Sequence, residues 1–480
     1  MDALLSTGAI PAGGFPDYDI DYSVKMESFY SAENLTRTPS SAGNQKTWTW
    51  SGWIKVTEPS HSLGTMWAGG TGSNDGSVNF RIDAGQITVN TASTALRNTT
   101  ARFRDPSAWY HLVLVMDTTQ STANDRIKLY VNGSQITDFS TINNPSQNAD
   151  MGVNAAQLHA LGRRSNANDR YFHGYMAEVN FVDGSAKAPT DFGRTDSNGV
   201  WVAKKYAGSY GTNGFYLDFA DSSDLGDDES GNGNDFTENN ISSQEQATDT
   251  PTNNFCTMNQ GSHTNGNIRT QEGGTRVSTD GGSGWCSMVA TMGVGAGKWY
   301  WEAKYHDHSG DTNTVYVGVA PANDPWIPAR QGGYYLGNVE TGGSMGWYLH
   351  DGSNKNQAGS WGNPSYGDKL MFALDMDNYR MYYGINGTWG NSSNPANGTN
   401  PLTFNTYWMA GHPNLTDFVM PAITVYQGNY MRSFNFGGVC TWNDDISSAQ
   451  SDANGYGRFE YTPPSGYYAL CTKNLAQYGG

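Results

Sequence analysis

At 480 residues the chain is too long for one ordinary core, which sets an expectation of two or three domains. Aromatic residues make up 13% and glycines number 59, whereas Glu, Lys, Ala and Leu are scarce wherever a long amphipathic stripe would need them. This excludes a helical bundle and favours many short strands joined by tight turns. A formal charge of −17 excludes nucleic acid as a main partner and disfavours anionic membrane surfaces; its ordinary use is to keep a large β protein soluble with its strand edges unpaired.

Residues 1–21 are rich in Gly, Pro, Asp and small side chains and read as an extended N-terminal arm without a core of its own. Met1 to Leu5 carries no basic start, and no apolar run is long enough for a signal peptide or a membrane span. The chain is therefore expected to be made in a cytoplasm, with no membrane insertion.

Residues 22–190 read as a first β-sandwich. Thr47 to Ile54 alternates aromatics with small polar residues and puts Trp48 and Trp50 on one face. Trp109 to Met116 is apolar on both faces, which predicts a central strand covered on both sides. Arg126 to Val131 follows and ends in Asn132-Gly133; Phe172 to Gly184 looks like the closing strand. Residues 191–250 form an acidic, Gly/Asn-rich connector with a few strands, expected either to add to the first sandwich or to make a small bridge. Its Asp227 to Asp235 run offers oxygens to calcium but lacks the spacing of an EF-hand loop, so it reads as a solvated acidic turn.

Residues 251–480 read as a second sandwich, whose centre is Tyr366 to Gly390. Leu370, Phe372, Leu374 and Met376 alternate with Met371, Ala373, Asp375 and Asp377. A polar turn follows, then Met381, Tyr383 and Ile385 share a face, and Asn386-Gly387 closes the run. The same strand–Asp–strand–Asn-Gly design occurs upstream at Trp109 to Gly133, which points to two related sandwiches in one chain. The four cysteines, Cys256, Cys286, Cys440 and Cys471, form no C-x-x-C pair and read as small buried hydrophobes.

In order, the T-W-S-G-W-I, W-Y-H-L-V-L-V-M-D, K-L-Y-V-N-G and G-Y-M-A-E-V segments of the first half resemble a laminin-G-like, concanavalin A-like domain. In the second half, Lys298 to Tyr305, Val315 to Ala320, Gly346 to Leu349, Y-G-D with L-D-M-D, N-G, P-A and N-F-G resemble a SPRY domain. The resemblance implies an all-β fold of two concanavalin A-like antiparallel β-sandwiches. With P-P-S-G-Y-Y-A-L-C-T-K-N-L at 463–475, the full arrangement resembles virion structural proteins of tailed bacteriophages of marine type.

Glucanases on this fold place two carboxylates about 5–5.5 Å apart for retaining chemistry. Glu178 and Asp183 are the nearest approach here, and five residues along a regular strand put them on opposite faces. His306-Asp307-His308 with Asp311 is the most metal-like run, but it reads as a polar hairpin tip. No Ser-His-Asp arrangement is claimed, because a G-x-S-x-G turn between a strand and a helix is absent, and there is no phosphate loop of G-x-x-x-x-G-K-[ST] form. No catalytic residue, metal or cofactor is therefore assigned, and the chain is not expected to be an enzyme.

Loops at sheet ends carry recognition on such scaffolds. Three loops of the second sandwich combine aromatics with amides, and the candidate ligand-binding residues are Trp326, Tyr335, Trp361 and Trp389. The expected function is a virion fibre, tail appendage or head decoration that adheres to host surface glycan or protein. It would attach to other virion proteins through the N-terminal arm and act in multiple copies. A purely structural decoration protein is the alternative, and a polysaccharide-degrading enzyme a second one. Replacing Trp389 and Trp361 with Ala is expected to weaken adhesion without lowering the melting temperature.

Overall fold

The computed structural model describes residues 18–27, 32–72, 76–263, 267–279, 284–305, 314–321, 334–341, 344–351, 355–356, 365, 367–403, 418–426, 431–439, 446 and 448–479. The chain is all-β apart from short helical turns, and it divides into two compact units that part between Asn253 and Asn254.

In the first unit the described strands form two large antiparallel sheets and one two-stranded hairpin. One runs in the order Ser134–Ile136, Ile127–Val131, Trp109–Asp117, Thr47–Val56, Gly174–Asp183, Ser23–Met26, Gln246–Ala247, with Phe215–Leu217 also on Gly174–Asp183. The other runs Phe139–Ile142, Ala95–Thr99, Gln86–Thr91, Val78–Asp83, Gly64–Gly69, His159–Leu161, Asn34–Arg37, Thr237–Asn239. The period-2 alternation decides what lies between them: Trp48, Trp50 and Ile54 from the first sheet meet Trp67, Phe80 and Val89 from the second in one core. Trp50 stands edge-on to Phe80 at 5.3 Å between ring centres.

The outer face of the first sheet is covered as well, as the apolar Trp109–Asp117 strand requires. Leu112, Leu114 and Met116 enter the main core, whereas Val113, Val115 and Val182 lie under Phe192 and Tyr206. Trp53 and Ala177 lie under Ile20 and Ala203. Of the two alternatives open for 191–250, the structure takes the first. This segment supplies the hairpin Gly193–Thr195 with Trp201–Ala203 over the outer face and adds short strands to both sheets. The described end of the predicted arm, from Tyr18 onward, is fixed to the same face. Ile20 donates its N–H to Thr252 Oγ1 at 2.9 Å, and that hydroxyl donates back to the Ile20 carbonyl.

The second unit stacks two further sheets. One orders Ile268–Gln271, Arg276–Thr279, Met431–Asn435, Lys298–Tyr305, Lys369–Asp375, Arg380–Ile385, Thr388–Trp389, with Tyr468–Ala469 lying parallel to Lys298–Tyr305. The other orders Trp285–Val289, Val419–Tyr426, Thr314–Pro321, Tyr334–Thr341, Ser344–Asp351, Lys355–Asn356. Trp299, Trp301, Leu370, Phe372, Leu374, Met381 and Tyr383 fill the space between them, as the hairpin pattern predicts. The alternate positions Tyr300, Met371 and Ala373 are covered in turn by Phe459, Tyr467 and Ala469 from the last segment of the chain. That segment ends in a short helix at Thr472–Tyr478. Cys256, Cys286 and Cys471 are buried and unbridged; Cys440 lies outside the described residues.

Both Asn-Gly turns form as read. Asn132 and Gly133 have φ of +47° and +78°, Asn386 and Gly387 +48° and +82°, the left-handed pair that a two-residue hairpin turn requires. Each Asn side chain also accepts a backbone N–H from the neighbouring strand, His111 N at 2.8 Å and Lys369 N at 2.9 Å.

Candidate functional site

Of the four predicted ligand-binding residues, Trp326 and Trp361 lie outside the described residues, as does the His306 to Asp311 run. Tyr335 falls on the strand Tyr334–Thr341, where the backbone path is described. Trp389 pairs with Gly384 in a two-residue edge strand. Its ring is half-buried and stands edge-on to Tyr300, 6.5 Å between ring centres, at the margin of the outer cluster. The expectation that Trp389 can be removed without any cost in stability is therefore corrected: an indole packed against Tyr300 contributes dispersion and burial as well as a rim.

The loop beyond Trp389 spends much of its polar capacity on itself. Asn394 Oδ1 accepts from Ala396 N, Asn397 Oδ1 from the N–H and hydroxyl of Thr399, and Asn400 Nδ2 donates to the carbonyls of Asn391 and Ser392. These bonds hold Asn391, Ser392 and Asn400 at positive φ and give a loop with a fixed shape beside the half-buried Trp.

The acidic turn likewise uses its oxygens on its own backbone. Asp221 accepts from Ser223 N, Asp224 from Gly226 N, and Asp235 from Asp228 N. Asp228 alone accepts from Tyr216 N, Ser230 N and Asn234 N. These are chain-bracing carboxylates.

Glu178, the residue nearest to glucanase chemistry, sits where the Gly174–Asp183 strand shifts register between Ala177 and Asn180. Its φ is +51°, a value non-glycine residues adopt at a cost. The strand is thus not regular: the bulge turns Glu178 to the outer face, beside Ala177, while Val179 and Phe181 return to the core. There one carboxylate oxygen, Oε1, accepts from Tyr18 Oη at 2.9 Å and Tyr216 Oη at 2.6 Å. Glu178 is 6% exposed, and burial first of all pushes its pKa up to about 7, against the two tyrosyl hydrogen bonds that lower it. Asp183, on the other side, accepts from Asn44 N and Asn154 Nδ2.

A constellation that the sequence reading missed lies at one end of the first sandwich. Met26, Gly174 and Val56 are register partners across three adjacent strands. Glu27 and His173, the residues adjoining Met26 and Gly174, and Glu58, two positions beyond Val56, converge with His61. One ligand atom each from Glu58, His61 and His173 lies within 4.8 Å of the others. Glu27 Oε1 is 2.6 Å from His173 Nδ1, and Glu58 Oε2 is 3.8 Å from His61 Nδ1 and 3.9 Å from His173 Nδ1. The imidazole centres are 4.1 Å apart.

Electrostatics separates the two imidazoles. Burial, and then the neighbouring His173, pushes His61 down to about 4, so that it is neutral at pH 7. For His173 burial works against the charge, but the hydrogen bond and charge of Glu27, with Glu58 and Glu33, outweigh it and its pKa rises. The only sequence signal was Glu58 and His61 three residues apart in one loop; His173 and Glu27 come from distant segments that strand register alone brings together.

Residues 31–190 match the family described as the Concanavalin A-like lectin/glucanases superfamily, Laminin_G_3. No curated protein sequence matches the chain. Among solved structures it is similar to the SPRY domain of human HERC1, at 14% identity over 37% of this chain and 96% of that one, with a TM-score of 0.26. It is also similar to the heptameric SAP-like pentraxin of Limulus polyphemus, at 15% identity over 36% of this chain and 80% of that one, TM-score 0.26. A third is a Bacteroides ovatus protein provisionally described as carbohydrate-binding, at 20% identity over 46% of this chain and 59% of that one, TM-score 0.28.

Proposed function

We propose that this chain is a non-enzymatic adhesion protein of a tailed-phage particle that holds a host surface glycan at the rims of its sandwiches. The observation that carries the adhesion reading is the match of 31–190 to a lectin and glucanase family, on a chain whose nearest glucanase-like acid is closed to substrate. Glu178 is covered by Tyr18 and Tyr216, so a sugar ring has no approach to its carboxyl. The phage assignment rests on the order of laminin-G-like and SPRY-like segments followed by the 463–475 motif. Trp389, half-buried beside a braced Asn/Ser/Thr loop, offers a flat apolar face next to hydrogen-bonding groups, the pairing that a sugar ring presents in reverse.

The test is binding of the purified full chain to intact host cells and to their extracted exopolysaccharide, with a reducing-sugar assay on the same material. Saturable binding without release of reducing ends supports the reading. Absence of binding to both, or steady sugar release, overturns it. Labelling of intact particles with an antibody against the second unit tests the virion assignment separately.

A further inference from the structure

We propose that Glu58, His61 and His173 form a binding site for a first-row divalent metal ion, with zinc as the reference case and Glu27 as the carboxylate that orients His173. Two imidazoles and one carboxylate are a donor set suited to zinc and its neighbours. Calcium, which takes six to eight oxygens, finds too few here.

The placement fits this chemistry. Tetrahedral zinc with bonds of about 2.0–2.1 Å needs ligand atoms about 3.3 Å apart. The three atoms already lie within 4.8 Å, so the shell closes by a movement of about 1 Å or somewhat more. The mobility for that movement lies on one side: the Glu58 and His61 side chains are 26% and 33% exposed, whereas His173 is 3% exposed and fixed by the sheet. Glu27 Oε1 lies 2.6 Å from His173 Nδ1, a carboxylate–histidine contact that orients the ring and leaves Nε2 as its ligand nitrogen.

Charge points the same way. Glu27, Glu33 and Glu245 are all buried, and Lys25 is the lysine among them, with its Nζ 3.5 Å from both Glu33 and Glu245. Glu58 adds a fourth carboxylate at the edge. Carboxylates on this side of the imidazoles make the pocket electrostatically favourable to a cation. With three protein ligands and an exposed side, the ion keeps a position for water or for an oxygen of a bound molecule.

The experiment titrates the full-length chain, stripped with a chelator and dialysed, with zinc chloride by calorimetry, and with cobalt(II) by visible absorption. The expected result is one zinc per chain with micromolar or tighter affinity, and cobalt bands typical of a low-coordinate nitrogen–oxygen site. Calcium chloride should give no saturable heat. His61→Ala, at a partly exposed position, should leave the metal-free melting temperature close to that of the parent and weaken zinc at least about tenfold. Glu58→Gln should do likewise, and Glu27→Gln should weaken it less. Absence of saturable zinc binding up to about 1 mM, zinc affinity unchanged in both His61→Ala and Glu58→Gln, or preferential saturation by calcium would overturn the assignment. Zinc binding is read without any glycan, so its outcome is independent of the adhesion test.

Discussion

The two sandwiches carry the same hairpin but support different buried glutamates. In each, an Asn-Gly turn with two left-handed residues is pinned to the neighbouring strand, and an aromatic from a later segment covers the tip. An added Cβ on Gly133 would meet the Trp201 ring at 2.4 Å, and one on Gly387 the Tyr461 ring at 3.0 Å. The glutamates diverge. Glu302 accepts from Tyr300 Oη and Tyr461 N on one oxygen, and from Asn435 Nδ2 and Glu460 N on the other. Glu178 takes two tyrosyl hydroxyls on a single oxygen and sits on a strained bulge. Burial lifts both to about 7. The same raised pKa thus goes with two donor sets: four donors spread over both oxygens of Glu302, and two hydroxyls on one oxygen of Glu178.

The sharpest break in that comparison is Glu302→Gln. An amide cannot accept on both ends, so at least one pair of donors is left facing an N–H, and a loss of about 3 kcal/mol is expected. Calorimetry of the full chain should show a lower melting temperature; an unchanged one would remove Glu302 as a staple.

Glu178→Gln keeps an oxygen for the two tyrosines and is expected to differ. The folded pKa of Glu178 lies above its ordinary value of 4.5, so its ionisation opposes folding. That penalty is absent below about pH 4.5, grows between 4.5 and 7, and is complete above 7. Removing the charge should therefore stabilise the first unit at pH 8 relative to pH 5, by about 2–3 kcal/mol. Parallel pH profiles of parent and variant would refute this.

The turns allow a paired test. Gly133→Ala should cost about 2–3 kcal/mol, because a left-handed φ and a collision with Trp201 add together; Gly387→Ala, with the looser approach to Tyr461, should cost about 1. Equal losses in denaturant titrations would mean that backbone conformation alone matters. Last, Trp389→Ala should lower stability by about 1 kcal/mol and weaken adhesion to host cells. A change in melting temperature with full adhesion would make it a packing residue.

Much of the architecture was legible because it is local. Alternation in Trp48, Trp50 and Leu370 to Met376 fixes which faces are inward, and Asn-Gly fixes two turns, since both depend only on residues a few positions apart. The apolar outer face of Trp109–Asp117 announced a cover, but its supplier, the 191–250 segment, was left open. Of the two metal-like runs in the sequence, Asp227 to Asp235 spends its carboxylates largely on backbone N–H groups, and His306 to Asp311 lies outside the described residues; the Glu58, His61 and His173 cluster has no compact run to announce it.

The sequence by itself determined the period of the strands, the paired Asn-Gly hairpins and the all-β class, because side-chain alternation and left-handed turn residues act within a few bonds. Tertiary structure alone decided the bulge that turns Glu178 outward and the register row that gathers Glu27, Glu58, His61 and His173. Those depend on how strands more than a hundred residues apart align, and a shift of one residue would send the same side chains to the opposite face.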